Sequence, residues 1–112
     1  MKKHTQFIVD GKPFYSLGGQ VHNASGYAVK DLARAVQAIH AVGGNTIAIP
    51  VYWEIIEPEE DVFDFSLVGE ILEYCRQERL KVVFLWFGTW KNGTMKYTPP
   101  WVKANPERFH RV

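Results

Sequence analysis

Residues 45–53, NTIAIPVYW, decide the fold of this 112-residue chain. The run is short, apolar and rich in β-branched side chains, which is typical of a buried strand in a parallel sheet. Gly43 and Gly44 directly precede it and are expected to end a helix. Pro50 donates no backbone hydrogen bond, so we expect it near the end of the strand.

Strand and helix patterns alternate on both sides of this run. Upstream, FIVDGKPFYSL predicts two short strands around a turn at Asp10-Gly11-Lys12-Pro13, the second of them over about residues 14–17 and ending in Gly18–Gly19. Apolar residues recur at helical spacing over residues 28–42 and 67–79. LKVVFLWFG, residues 80–88, predicts a third buried strand. This alternation favours parallel strands joined by right-handed crossovers, and hence an α/β fold.

Composition excludes several classes of partner. The 13 basic and 12 acidic residues give a net charge of +1, which favours neither nucleic acid nor a membrane surface as partner. Hydrophobic residues make up 46% of the chain, enough to bury the core of one domain over residues 1–112. The single cysteine, Cys75, and the scattered histidines predict a buried structural thiol and no metal site or cofactor. Without an apolar run of signal-peptide length, the sequence as written predicts a cytoplasmic protein, or a secreted or periplasmic one if a natural leader was removed.

Polar and aromatic side chains follow each of the three predicted sheet strands. Because the carboxyl ends of parallel strands meet at one rim, where ligands bind in such folds, these side chains are expected to lie close together. Indoles can stack on the C–H faces of sugars, while amides, an imidazole and a carboxylate bind hydroxyls. The predicted binding residues are His22, Asn23, Trp53, Glu54, Trp90 and Asn92.

Each of these residues also has a purely structural interpretation. His22 can be a hydrogen-bonded loop residue, and Trp53 and Trp86 can belong to the core. The acidic stretch of residues 57–61 is typical of a solvated loop. Glu54 stands apart from that stretch because it directly follows the strand.

Four stretches together resemble the N-terminal part of clan-A glycoside hydrolases, closest to a branch of the family 35 β-galactosidases. They are GKPFYSLGGQVHN (11–23), VYWEIIEPEEDVFDF (51–65), LWFGTWKNG (85–93) and YTPPWVKANPERFHRV (97–112). The W-x-x-x-E-P pattern of Trp53, Glu57 and Pro58, followed by FDF, is shared by β-galactosidases of families 35 and 42. Thr89 stands where many family 35 enzymes have a glutamate that contacts galactose.

The resemblance implies a (β/α)8 barrel and retaining hydrolysis of β-galactosides by two glutamates. The acid/base lies in an Asn-Glu pair after the fourth strand and the nucleophile after the seventh. This chain has no Asn-Glu pair. It is therefore expected to be a partial barrel, a leading hairpin followed by about three parallel strands with two crossover helices. Such a chain would carry part of the sugar-binding rim, here for a β-galactoside-like carbohydrate, and would be inactive alone.

Two other functions remain open from the residues. The chain can be a non-catalytic carbohydrate-binding or self-assembling module that associates through open sheet edges, since unpaired edges are templates for pairing. It can also be a complete small α/β enzyme of another kind, with Glu54 and His22 as an acid/base pair on neighbouring strand ends.

Overall fold

The chain folds around a three-stranded parallel sheet, preceded by a small hairpin. The computed structural model describes residues 5–91, 93 and 97–110. A single 3-10 turn, Val29–Leu32, precedes the first α-helix. Along the chain the elements are β1 (Ile8–Val9), β2 (Lys12–Pro13), β3 (Gly18–Gln20), α1 (Ala33–Ala41), β4 (Thr46–Tyr52), α2 (Trp53–Ile56), α3 (Ser66–Gln77), β5 (Lys81–Phe87) and α4 (Pro100–Lys103).

β4, the strand predicted from residues 45–53, lies at the centre of the sheet. The strand order is β3-β4-β5, and both pairings are parallel. Ala48 accepts a hydrogen bond from the N–H of Val21 on the β3 side at 3.0 Å. Pro50 faces the same side two residues later, where the pairing with β3 has ended. Its missing N–H therefore costs no ladder hydrogen bond, in agreement with the expectation for Pro50.

The hairpin turns at Asp10 and Gly11 as predicted, but Lys12 and Pro13 form β2 instead of part of the turn, and the strand predicted over residues 14–17 was placed wrongly. Asp10 and Gly11 both have positive φ, 51° and 76°, as a tight two-residue hairpin turn requires. Strand pairing then resumes at Gly18 instead of ending there. The reason is a close approach between backbones, because a Cβ on Gly18 would lie 1.7 Å from the carbonyl oxygen of Thr46. Tyr15, expected within that strand, is 83% exposed.

The helices end where the sequence predicts. Gly43 has φ +71°, and its N–H donates to the carbonyl of His40 at 3.0 Å, which closes the end of α1. At the start of α3, Asp64 Oδ1 accepts the N–H of Ser66 at 2.9 Å. This carboxylate thus satisfies a backbone donor at the helix start, while the residue in the cap position is Phe65.

The main core fills the space between the helices and one face of the sheet. Cys75 is fully buried, and burial raises the pKa of its thiol, which confirms the structural interpretation of this residue. Leu72 of the same helix is 39% exposed, so the packed face of α3 centres on Ile71 and Cys75. The buried members of this core are Val21, Leu32, Val36, Ile39, Ile47, Ile49, Ile71, Cys75 and Leu80.

The prediction of a buried third strand is wrong. Within β5, Lys81, Val83 and Trp86 are exposed, three residues are half-buried, and only Phe87 is buried. Val83 is 49% exposed and Trp86 58%. Within the described residues no strand pairs with the far edge of β5, so its apolar side chains lack the cover that a closed barrel would supply. The fold is therefore α/β, in the form of part of a (β/α)8 barrel. No described helix combines the length and apolarity needed to cross a membrane.

Candidate functional site

Tyr52, the last residue of β4, anchors the loop that follows β3. Its ring is 1% exposed. Its hydroxyl donates to the carbonyl oxygen of Asn23 at 2.6 Å and accepts the N–H of Gly26 at 2.9 Å. Burial raises the pKa of Tyr52 to about 12. Gly26 is required here because a Cβ would lie 2.3 Å from the carbonyl oxygen of Pro50. The loop with His22 and Asn23 is therefore held over the carboxyl end of the sheet.

A cluster of aromatic rings covers this end of the sheet on the face opposite the main core. Tyr27 stacks on Tyr52 with ring centroids 3.8 Å apart and planes 6° apart. Tyr97 stacks on Tyr52 with ring centroids 5.4 Å apart, and Phe87 packs edge-on against Tyr52 with centroids 5.8 Å apart. Such pairs add to the stabilisation from burial. The cluster joins the loops after β3 and β5 to the end of β4.

Glu54 is oriented by Tyr27, a residue absent from the sequence-based predictions. The Tyr27 hydroxyl donates to Glu54 Oε1 at 2.7 Å, and the Glu54 N–H donates to the carbonyl of Tyr97 at 2.9 Å. Burial, followed by the hydrogen bond to Glu54, raises the pKa of the Tyr27 phenol. Tyr27 therefore stays a donor at neutral pH. Glu54 Oε2 has no hydrogen bond to any of the described residues, so it can accept one from a ligand hydroxyl.

The W-x-x-x-E-P pattern corresponds to a contact across one helical turn. Trp53 begins α2, and its Nε1 donates to Glu57 Oε2 at 2.7 Å. A separation of four residues brings these side chains together on a helix. Glu57 Oε1 also accepts the N–H of Asp61 at 2.9 Å. Glu57 is thus a structural residue that fixes the indole of Trp53, and the solvated-loop interpretation fails for it.

Three indoles surround a cavity at the carboxyl ends of β4 and β5. The cavity has a volume of about 460 Å³ and is lined by Trp53, Trp86, Gly88, Thr89 and Trp90. Trp86 and Trp90 are 58% and 62% exposed, and Trp53 is half-buried. The core interpretation therefore does not hold for Trp53 or Trp86. A Cβ on Gly88 would lie 2.9 Å from Trp86 Nε1, so the glycine makes room for this indole.

The structure brings some of the predicted residues together and leaves others apart. Trp53 and Trp90 line the three-indole cavity, and Glu54 directly follows Trp53 in the chain. His22 is exposed, and its Nδ1 accepts the N–H of Ala24 at 3.3 Å within its own loop. Asn23 is held through its carbonyl oxygen. Asn92 lies outside the described residues.

The described contacts give Glu54 and His22, the acid/base pair of the alternative function, separate hydrogen-bond partners. Glu54 is bonded to Tyr27, and the imidazole of His22 to its own loop. Among the described residues, no cluster of three or more histidine, cysteine or acidic side chains could hold a metal ion.

Several site residues escaped sequence analysis. Tyr27 ends the stretch GGQVHNASGY, residues 18–27. The signal that could have identified it is a phenol in the loop that follows a strand. Thr98, Trp101 and Phe109 lie beyond the last predicted strand, in a segment where no periodicity predicts the path of the chain. Trp101 packs edge-on against Trp53 with ring centroids 5.9 Å apart and against Phe109 at 5.7 Å, and these contacts place the segment beside the rim.

Comparison with known proteins agrees with this architecture. A β-galactosidase of Xanthomonas manihotis is 32% identical over 78 residues, which make up 65% of this chain and 12% of that protein. The exo-β-1,4-mannosidase Op5Man5 from Opitutaceae bacterium strain TAV5 superposes with a TM-score of 0.68 at 21% identity, and the match covers 86% of this chain and 19% of that one. The chain thus spans only a small part of both proteins, and the second likeness establishes the fold alone.

The family assignment rests on a match over most of the chain. Residues 6–97 match the sequence profile of glycosyl hydrolases family 35. This range contains the hairpin, all three strands of the sheet, Glu54 and the lining of the three-indole cavity. The chain therefore belongs to glycosyl hydrolases family 35.

Proposed function

We propose that residues 1–112 form a single domain, the N-terminal portion of a β-galactosidase-like barrel, which carries part of its sugar-binding rim. The observations that carry this proposal are the three-indole cavity and the oriented carboxylate of Glu54, the residue after Trp53 in the chain. Exposed indoles at the carboxyl ends of strands are costly to leave in water and are suited to the C–H faces of a sugar ring. His22, Asn23 and Asn92 are proposed as further contacts around the same ligand.

Glu54 is proposed to bind a sugar hydroxyl rather than to attack the sugar. Its Oε1 is occupied by the phenol of Tyr27, which leaves Oε2 to accept from the ligand. A retaining hydrolase needs two carboxylates about 5–5.5 Å apart on either side of the bond that is cut. Glu57, the next carboxylate along the rim, is engaged by Trp53 and Asp61. We therefore propose that this chain alone binds a β-galactoside without cleaving it.

Glu54→Gln is expected to weaken binding of methyl β-galactoside about tenfold. A hydrogen bond to a charged acceptor is worth about 1.5–3 kcal/mol, and 1.4 kcal/mol corresponds to a factor of ten in affinity. Trp90→Ala should weaken binding as well, because it removes an exposed stacking surface. The measurement is a titration of the chain with the sugar, followed by indole fluorescence. Glu59→Gln is the matched control, since Glu59 is exposed in the connection after α2.

Three outcomes of this experiment would contradict parts of the proposal. A flat titration of the unaltered chain would contradict sugar binding. Equal affinities of the Glu54→Gln and Glu59→Gln variants would contradict the role of Glu54. Cleavage of an aryl β-galactoside by the purified chain would contradict inactivity, and its loss in Glu54→Gln would make Glu54 a catalytic residue.

Self-association is a second proposal, favoured by the exposed edge of β5. Val83 is 49% exposed, and an unpaired strand edge is a template for another chain. We expect light scattering to give a mass that rises with concentration above the 12.9 kDa of one chain. A Val83→Lys variant should shift this equilibrium toward the monomer, because charged side chains on edge strands oppose pairing. A constant mass of 12.9 kDa would exclude the proposal.

A further inference from the structure

The segment of residues 97–110 lies against α2 and the connection that follows it. Tyr97 is buried, and its carbonyl accepts the N–H of Glu54 at 2.9 Å. The indole Nε1 of Trp101 donates to the carbonyl oxygen of Glu57 at 3.0 Å. Both hydrogen bonds hold the first part of the segment in place.

An ion pair between Arg108 and Glu60 ties the second part of the segment to the same connection. Nη2 of the guanidinium lies 2.7 Å from Glu60 Oε1, and Nη1 donates to Oε2 at 3.0 Å. A contact through two nitrogens and two oxygens fixes the plane of the guanidinium as well as its distance from the carboxylate. The hydrogen bonds from Arg108 hold the pKa of Glu60 below its usual value. The carboxylate therefore stays charged at neutral pH.

Aromatic contacts connect this ion pair to the three-indole cavity. The guanidinium of Arg108 lies over the ring of Phe109, 4.9 Å from its centroid. Trp101 packs edge-on against Phe109 and against Trp53, with ring centroids 5.7 and 5.9 Å apart. Trp53 lines the three-indole cavity. A continuous series of contacts thus runs from an ion pair on the surface to an indole of the proposed sugar site.

We infer that Arg108 is a positioning residue, which orients the indole of Trp53 in the three-indole cavity through its ion pair with Glu60. The inference rests on the proposed function, because the sugar is taken to bind in that cavity. The side chains of Arg108 and Glu60 are 56% and 42% exposed, so dissolved salt screens their attraction. The affinity for a sugar should therefore depend on salt concentration, although the sugar itself carries no charge.

Titration of the chain with methyl β-galactoside at about 0.01 M and about 1 M KCl tests this inference, because the Debye length falls from about 30 Å to about 3 Å between them. The unaltered chain is expected to bind about threefold more weakly at high salt, as the energy of an exposed ion pair allows. Glu60→Gln and Arg108→Gln should each show this weaker binding at low salt and lose the salt dependence. The double variant should bind no more weakly than either single variant, since all three break the same contact. Arg108→Lys keeps the charge without the paired geometry and should retain part of the salt dependence.

Arg76→Gln is the matched control. Arg76 forms an exposed ion pair with Glu73 at 2.7 Å within α3, and its substitution removes the same charge from the chain. This variant should keep the affinity and the salt dependence of the unaltered chain.

Circular dichroism of the indoles gives a readout that needs no ligand. The edge-on pair of Trp53 and Trp101 contributes a signal that Trp101→Phe identifies by removing it. Arg108→Gln should weaken this signal, because the support of Trp101 through Phe109 is lost. Arg76→Gln should leave it unchanged.

The outcomes separate this inference from the proposed function. Salt dependence that persists in Glu60→Gln and Arg108→Gln would overturn the role of Arg108 and leave the proposed function standing. Additive losses in the double variant would overturn it as well, since the two side chains would then act independently. An unchanged circular dichroism signal in Arg108→Gln would show that the ion pair does not hold Trp101, whether or not the sugar binds. Absence of binding by the unaltered chain at either salt concentration would overturn the proposed function, and the role of Arg108 in sugar binding with it.

Discussion

A Gly18→Ala chain is expected to lose about 4 kcal/mol or more of folding free energy, at the upper end of what single substitutions cost. The added Cβ would lie 1.7 Å from the carbonyl oxygen of Thr46 and 2.6 Å from its carbonyl carbon. Both atoms belong to the backbone of the central strand, so no flexible side chain can move aside. Since native domains are stable by about 5–15 kcal/mol, this loss would remove most of the stability of a domain at the lower end of that range.

The loss arises because β3 must separate from β4. That movement breaks the register in which Gly18 faces Thr46, and with it the hydrogen bond from the Ser16 hydroxyl to Thr46 Oγ1 at 2.9 Å. The Leu17 carbonyl, which accepts from the N–H of Asn45 at 2.7 Å, is displaced as well. β3, whose carboxyl end carries the loop with His22, would then detach from the sheet.

Gly19→Ala is the matched control for this experiment. The neighbouring glycine lies in the same strand, but a Cβ there meets nothing within 4 Å. Both variants change glycine to alanine in an extended segment, so they differ only in the contact with Thr46. Urea unfolding followed by circular dichroism measures both. Equal midpoints for the two variants would show that the backbones can separate at little cost, contrary to the expectation.

The central strand and the helix ends could be predicted because their signals are local. Residues 45–53 are apolar over the length of one strand, and β4 occupies Thr46–Tyr52. Gly43 ends α1 through its own positive φ, which depends on no distant part of the chain. Parallel topology then brings the ends of successive strands to one rim, which is why Trp53 and Trp90 line the same cavity.

The exposure of β5 and the position of Gly18 within the sheet could not be predicted from local sequence signals. An apolar strand is buried only if something covers it, and no sequence pattern within β5 tells whether a neighbour is present. Trp86 is 58% exposed for this reason. The close approach of Gly18 to Thr46 joins residues 28 positions apart, so glycine in the sequence is equally compatible with a turn and with a crowded strand.

The candidate site likewise combines residues that the sequence identifies with residues that only tertiary contacts reveal. Glu54 was identified because it directly follows a strand, but its partner Tyr27 lies in a loop without periodicity. Phe109 and Thr98 come from a segment whose path depends on the contact between Trp101 and Trp53. The resemblance of YTPPWVKANPERFHRV to the family pointed to this segment without assigning it a role.

Tyr52→Phe is expected to make stability at neutral pH lower by about 1–3 kcal/mol. The substitution keeps the ring and its stacking but leaves the Asn23 carbonyl and the Gly26 N–H without their partner, and an unsatisfied buried group costs about this much. The measurement is again the urea midpoint. Tyr15→Phe is the control, because Tyr15 is 83% exposed and its loss should change nothing.

The same variant should differ from the unaltered chain in its response to alkaline pH. Burial raises the pKa of Tyr52 from 10.0 to about 12 in the folded state. Below pH 10 both states keep the proton, so this residue contributes no pH dependence. Between pH 10 and 12 the unfolded state releases the proton while the folded state retains it, and stability therefore falls as pH rises.

Phenylalanine has no proton to lose, so the stabilities of the two chains should converge across this window. Tyr27, whose pKa is also raised, keeps part of the alkaline loss in both chains, because the charge of Tyr52 is a smaller cause of that shift than burial and Glu54. Parallel curves for Tyr52→Phe and the unaltered chain would show that the hydroxyl of Tyr52 does not hold the loop in solution. Convergence of the two stabilities, together with weaker binding of methyl β-galactoside by the variant at neutral pH, would show that the Tyr52 hydroxyl both stabilises the fold and supports sugar binding. The group that closes the carboxyl end of β4 would then also position the loop that carries His22, Asn23 and Tyr27, and through Tyr27 the carboxylate of Glu54.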